Sequence, residues 1–148
     1  MPMKFSTGLP GLNRYPPITC DWEHSMRAED FQLVARTADE LGFDGMVLNE
    51  HHQNIYGLMP SPNLIASALT QRTTRGKIVI LGNLLPLHMN PIRVAEEYAM
   101  LDQMSNGRLI AGFAPGGGPE TFNYDVPSAN TREKFWEAAD LIVRSWTE

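Results

Sequence analysis

Apolar positions along this chain switch repeatedly between two periods. Residues 42–48 (GFDGMVL), 77–85 (KIVILGNLL) and 108–114 (RLIAGFA) are short β-compatible runs, and 4–9 (KFSTGL) reads as an earlier strand of the same series. Residues 77–85 are almost continuously apolar, which predicts burial on both faces. Between these runs the spacing becomes helical. Phe31, Val34, Ala35, Ala38 and Leu41 share one face, with Ser25 as cap and Gly42 as stop. Ser61-Pro62 opens a second helix with Leu64, Ile65, Ala68 and Leu69 inward, and Asn90-Pro91 opens a third with Val94, Ala95, Tyr98, Ala99 and Leu101 inward. Asn130 with Glu133 reads as a capping box ahead of Phe135, Ala138, Ala139, Ile142 and Trp146.

The order is strand then helix, four times over, which predicts right-handed crossovers and a parallel sheet, an α/β fold. The longer loops follow strands: 10–24, 49–60, 86–90 and 115–129. In parallel α/β architectures that end of the strands carries the active site. His51, His52, Asn83 and the run Gly116, Gly117, Gly118 are therefore expected on one face.

Composition narrows the partners. The 148 residues carry a formal net charge of −5 with no lysine- or arginine-rich run, which argues against nucleic acid and anionic membranes as partners. Cys20 is alone, so neither an internal disulfide nor a cysteine-based zinc site is available. No apolar run approaches membrane-spanning length and no signal-peptide pattern opens the chain, so a single cytoplasmic domain is expected.

The chemistry concentrates in Asn49, Glu50, His51 and His52, four polar side chains directly after a strand. Histidine exchanges protons near neutral pH, which suits acid–base work, although a polar loop could hold the same residues. Zinc could use Glu50, His51, His52 and His88, but adjacent histidines project in different directions and no HExxH is present, so no metal is expected. Gly82, inside a predicted strand, reads on its own as a glycine bulge. The three glycines at 116–118 could present N–H groups to an anion, yet they lack both the GxGxxG spacing and a Walker lysine. Arg93 and Glu96 are expected to bond between neighbouring helices, Asp102 and Arg108 to be structural, and Trp22, Trp136 and Trp146 to pack.

Three segments carry a family resemblance. EHH at 50–52, PIRVAEE at 91–97 and LDQMSNGRL at 101–109 resemble, in order and spacing, the bacterial luciferase-like flavin monooxygenases, and the likeness runs from Lys4 onward. The family's fold is a (β/α)8 TIM barrel, so residues 1–148 would be the N-terminal half-barrel of a truncated domain; a whole barrel takes roughly 250 residues. The resemblance implies reduced FMN from a separate flavin reductase, O2, a C4a-hydroperoxyflavin and oxygenation of a small organic substrate. Members using F420 for hydride transfer offer the alternative. His51 matches the catalytic histidine, with Glu50 and His52 supporting it. Gly82 and Asn83 match a position that often carries a non-prolyl cis peptide under the flavin, and Gly116, Gly117 and Gly118 fall in a flavin loop. Where the luciferase subunit has a reactive cysteine and a phosphate-gripping arginine, this chain has Ala114 and Pro115. A half-barrel also leaves sheet edges and an apolar interior uncovered, so a homo-oligomer, or a non-catalytic fragment that self-associates, is expected as well.

Overall fold

The computed structural model describes residues 28–53 and 59–148. The expected strand at 4–9, the Ser25 cap and Trp22 lie outside them. Helix α1 (Ala28–Leu41) ends where predicted: Gly42 takes φ +87°, a left-handed conformation that costs glycine little. Strand β1 (Gly45–Leu48), α2 (Pro62–Thr70) and β2 (Lys77–Ile80) follow, and β3 (Asn83–Leu84) continues the line of β2. Helix α3 (Pro91–Ser105) leads through the Asn106-Gly107 turn to β4 (Leu109–Ile110) and β5 (Phe113–Ala114). A short α4 (Gly118–Asn123) precedes the long α5 (Thr131–Thr147).

All strand pairings among the described residues are parallel. Strand β2 lies between β1 and β4, with Leu48 opposite Ile80 and Ile78 opposite Leu109. Past the cis peptide Leu81–Gly82 the same neighbours resume as β3 and β5, with Asn83 opposite Phe113. Two of the runs predicted as single strands are thus each divided in two. The division shifts the chain so that Asn83 and Leu84 stand at the carboxyl end of the sheet.

The core lies between the sheet and its helices: Leu48, Ile78 and Ile80 from strands meet Leu69, Val94, Tyr98, Leu101 and Ile142 from helices. Burial of each large aliphatic side chain stabilises by about 1.5–3 kcal/mol. Residues 77–85 are not buried on both faces as expected. Val47, Leu81 and Ile110 are 37%, 61% and 46% exposed, because the helices cover only one side of the described sheet. The open side is the one a (β/α)8 barrel turns inward.

Helix stripes rotate relative to the sequence expectation. In α2 the buried positions are Pro62, Asn63, Ala66, Leu69 and Thr70, while Leu64 points to solvent at 73% exposure. Leu41 and Ala99 are likewise exposed. Of the three caps within the described residues, only Asn90 closes as drawn, its side chain accepting from the Ile92 N–H. Ser61 makes no side-chain cap bond, and Asn130 is already helical in a 3-10 turn, so the capping box with Glu133 does not form.

Polar side chains tie the layers. Arg108 donates to the carbonyls of Thr70, Thr73, Gly76 and Ser105 and to Thr73 Oγ1, pinning the α2–β2 connection to the start of β4. Arg93 pairs with Glu96 and Glu97 inside α3, a correction to the expected bond between helices; three- and four-residue spacing places them on one face. The interhelical bond belongs to Asn63, which donates to Glu97 at 2.7 Å.

Candidate active site

Strand β1 delivers Glu50 and His52 into buried positions at its carboxyl end, with Glu50 only 4% exposed. A buried carboxylate is tolerated when its oxygens are satisfied by donors. Glu50 Oε2 accepts from Asn83 Nδ2 at 2.7 Å and from the Leu84 N–H at 3.1 Å, while Oε1 lies 2.8 Å from His52 Nε2. The carboxylate accepts, so His52 carries its proton on Nε2 when neutral. Nδ1 then accepts from the Tyr124 hydroxyl, 2.9 Å away. Glu50, His52, Asn83 and Tyr124 form one continuous chain of hydrogen bonds.

His51 faces elsewhere. Its ring is half-buried, and Nδ1 lies 3.2 Å from Oε1 of Glu120, a carboxylate that is itself buried. The adjacent histidines are thus held by two different acids, Glu50 and Glu120. Among the described residues, no group of three or more His, Cys, Asp or Glu side chains gathers as a metal-ligand set.

Both glycine predictions are localised by what surrounds them. A Cβ on Gly82 would stand 2.7 Å from the Gly112 carbonyl carbon and the Phe113 nitrogen, so this glycine serves close approach of neighbouring strands. Gly116 adopts φ +80° and packs towards Leu84, the residue next to Asn83. Gly117 and Gly118 open α4, which the sequence reading took as loop; Pro119 and Glu120 in the first turn are its start signal. That helix carries two further side chains that reach the candidate site, Glu120 and, at its C-cap, Tyr124, neither marked by any sequence motif.

Orphaned acceptors beside this network fit a bound group that can donate. Among the described residues, Asn49 Oδ1 and Asn83 Oδ1 are buried without a donor, and a planar heterocycle rich in N–H groups could supply one. To one side a cavity of about 460 Å³ runs between the loop after β3 and α5, lined by Leu85, His88, Met89, Tyr124, Lys134 and Leu141 among others. Tyr124 connects this cavity to His52.

The chain resembles known proteins in sequence and in fold. The chain is 35% identical over 117 residues to limonene 1,2-monooxygenase from Rhodococcus erythropolis, covering 78% of this chain and 30% of that one. The crystal structure of monooxygenase RslO1 from Streptomyces bottropensis superposes with a TM-score of 0.76 at 34% identity, covering 81% of this chain and 37% of the other. The oxygenating constituent of 3,6-diketocamphane monooxygenase from Pseudomonas putida, solved in complex with FMN, has the same fold (TM-score 0.76, 24% identity, 97% and 39% covered). The chain spans about a third of the length of the relatives it matches. The luciferase-like monooxygenase family profile matches residues 3–148, and the chain belongs to that family.

Proposed function

We propose that the protein to which this chain belongs is a flavin-dependent monooxygenase oxygenating a small organic substrate with reduced FMN and O2. The observation that supports it most is the placement of His51, held by Glu120, beside the buried Glu50–His52–Tyr124 chain at the carboxyl ends of parallel strands. When bound, reduced FMN would supply activation of O2 and transfer of one oxygen atom. His51 would exchange a proton through its ring, as an imidazole can near neutral pH. Glu50 and His52 would hold the strand tip and its loop in register, and their closed hydrogen bonding keeps water from competing there.

Gly82, Asn83, Gly116, Gly117 and Gly118 are the residues we assign to holding the flavin. Asn83 contributes the buried acceptor, and the glycine loop lies against Leu84 beside it. Ala114 and Pro115 offer no charge for the flavin phosphate, so that contact is assigned elsewhere in the protein. Supply of reduced flavin by a separate reductase, a cytoplasmic setting and a homo-oligomeric state complete the proposal. Among the described residues no helix is long and apolar enough to cross a membrane.

The test is a titration of this chain with reduced FMN and with F420, followed by tryptophan quenching, on wild type and His51→Ala. The expected result is FMN binding unchanged by the substitution, with substrate oxygenation reduced about 100-fold or more, the scale of a lost proton-transfer group. Binding of F420 with exclusion of FMN would replace oxygenation by hydride transfer.

A further inference from the structure

The cavity of about 460 Å³ between the loop after β3, the residues closing α4 and one face of α5 has the size of a small-molecule pocket. Its buried walls are apolar: Leu85, Val126 and Ala138 are 1%, 9% and 7% exposed. Met89 and Leu141 line it as well and are exposed, so apolar surface continues to the mouth. None of the residues assigned to holding the flavin takes part in this lining.

The polar groups of the lining are few, and their hydrogen-bonding roles are set from behind. His52 Nε2 faces Glu50 Oε1, and a carboxylate only accepts, so in the neutral ring Nδ1 is the acceptor. Nδ1 lies 2.9 Å from the Tyr124 hydroxyl and takes its single proton. Tyr124 therefore offers the cavity lone pairs alone. His88 lines the same cavity, and its Nε2 is buried with no hydrogen-bond partner among the described residues, so the protein by itself leaves the lining incompletely satisfied. Asp125 and Glu137 set two carboxylates against the one ammonium of Lys134, which disfavours an anion.

We infer that this cavity is a binding site for a neutral hydroxy compound, an alcohol or phenol on an apolar body, whose O–H donates to the Tyr124 oxygen. The bound hydroxyl extends an array in which every link donates in the same direction: ligand to Tyr124, Tyr124 to His52, His52 to Glu50. Donation by the tyrosine makes its oxygen a better acceptor, so the array favours a donor at its open end. The site goes beyond the flavin reading and holds whether or not this chain binds flavin.

The test is an NMR titration of the chain with 2-naphthol, its methyl ether 2-methoxynaphthalene, and 2-naphthoate. It is run near pH 8, above the ordinary histidine value of about 6.5. Wild type, Tyr124→Phe and Leu141→Trp are compared, with urea unfolding as a fold check. In wild type 2-naphthol is expected to shift the signals of Met89, Val126 and Leu141. The ether, which lacks the donor, and the anionic naphthoate bind about tenfold more weakly or worse. Tyr124→Phe brings naphthol and its ether within about twofold of each other, and folded Leu141→Trp, which fills the mouth, weakens naphthol about tenfold. Three results overturn the inference: no naphthol binding, shifts confined to residues outside the cavity, or a wild-type preference for naphthol over its ether that is absent or survives Tyr124→Phe.

Discussion

Asn83 Nδ2 donates to Glu50 Oε2 at 2.7 Å, joining two residues 33 positions apart at the tips of neighbouring strands. The donor stands just beyond the cis Leu81–Gly82 peptide, and the acceptor lies two residues past the end of β1. The bond is buried and charge-assisted, the class of hydrogen bond whose loss is felt most. Removing the amide in Asn83→Ala is expected to cost about 1.5–3 kcal/mol in urea unfolding. Asn83→Asp should cost more at neutral pH, since it sets a second carboxylate against a buried one. An Asp variant as stable as the Ala variant would refute the expectation.

The glycines near the site separate into two kinds. At Gly82 an added methyl meets backbone atoms that cannot step aside, so Gly82→Ala is expected to destabilise by about 1–3 kcal/mol or more. Gly118 has nothing within 4 Å of a new Cβ and opens a helix. Gly118→Ala should therefore be neutral or stabilise by up to about 1 kcal/mol. Thermal unfolding of the two variants side by side decides the matter; equal losses would refute the distinction.

Asp39 provides a pH-dependent clasp between α1 and the segment entering β2. Burial alone would raise its pKa, but hydrogen bonds from the Thr74, Gly76 and Arg75 N–H groups and the Thr74 hydroxyl outweigh it and hold the carboxyl well below the usual 3.8. A depressed folded-state pKa stabilises fully above the unfolded value. The contribution is lost as pH falls from about 4 towards the folded value. Urea midpoints at pH 7, 5, 4 and 3 should show Asp39→Asn weaker than wild type at pH 7, with the deficit shrinking below pH 4. A deficit constant across that range would refute the assignment.

Much of the fold could be read from the pattern of residues because its signals are local. Gly42 and Asn90-Pro91 mark their helix ends through backbone geometry that each supplies itself. EHH stands just past β1, so the place of the candidate site is legible for a similarly local reason. What escaped was set by tertiary partners. Leu64 falls inward by periodicity, yet the face that packs runs through Asn63, Ala66, Leu69 and Thr70. Glu120 and Tyr124 were hidden because α4 is short and begins in glycine, and their meaning depends on histidines about 70 residues away. Asn130 carried the right side chain for a cap but not the backbone that a cap requires.

Glu50 spends one oxygen on the His52 ring and the other on the tip of β3. An acceptor shared in this way makes ring state and strand position reciprocal: whatever biases one must bias the other by the same free energy. A ligand that draws the His52 ring away from Glu50 therefore changes how often the β3 tip opens. The Leu84 amide, which never touches the ring, becomes its reporter, and its hydrogen-exchange rate registers events at the histidine from the far side of the carboxylate.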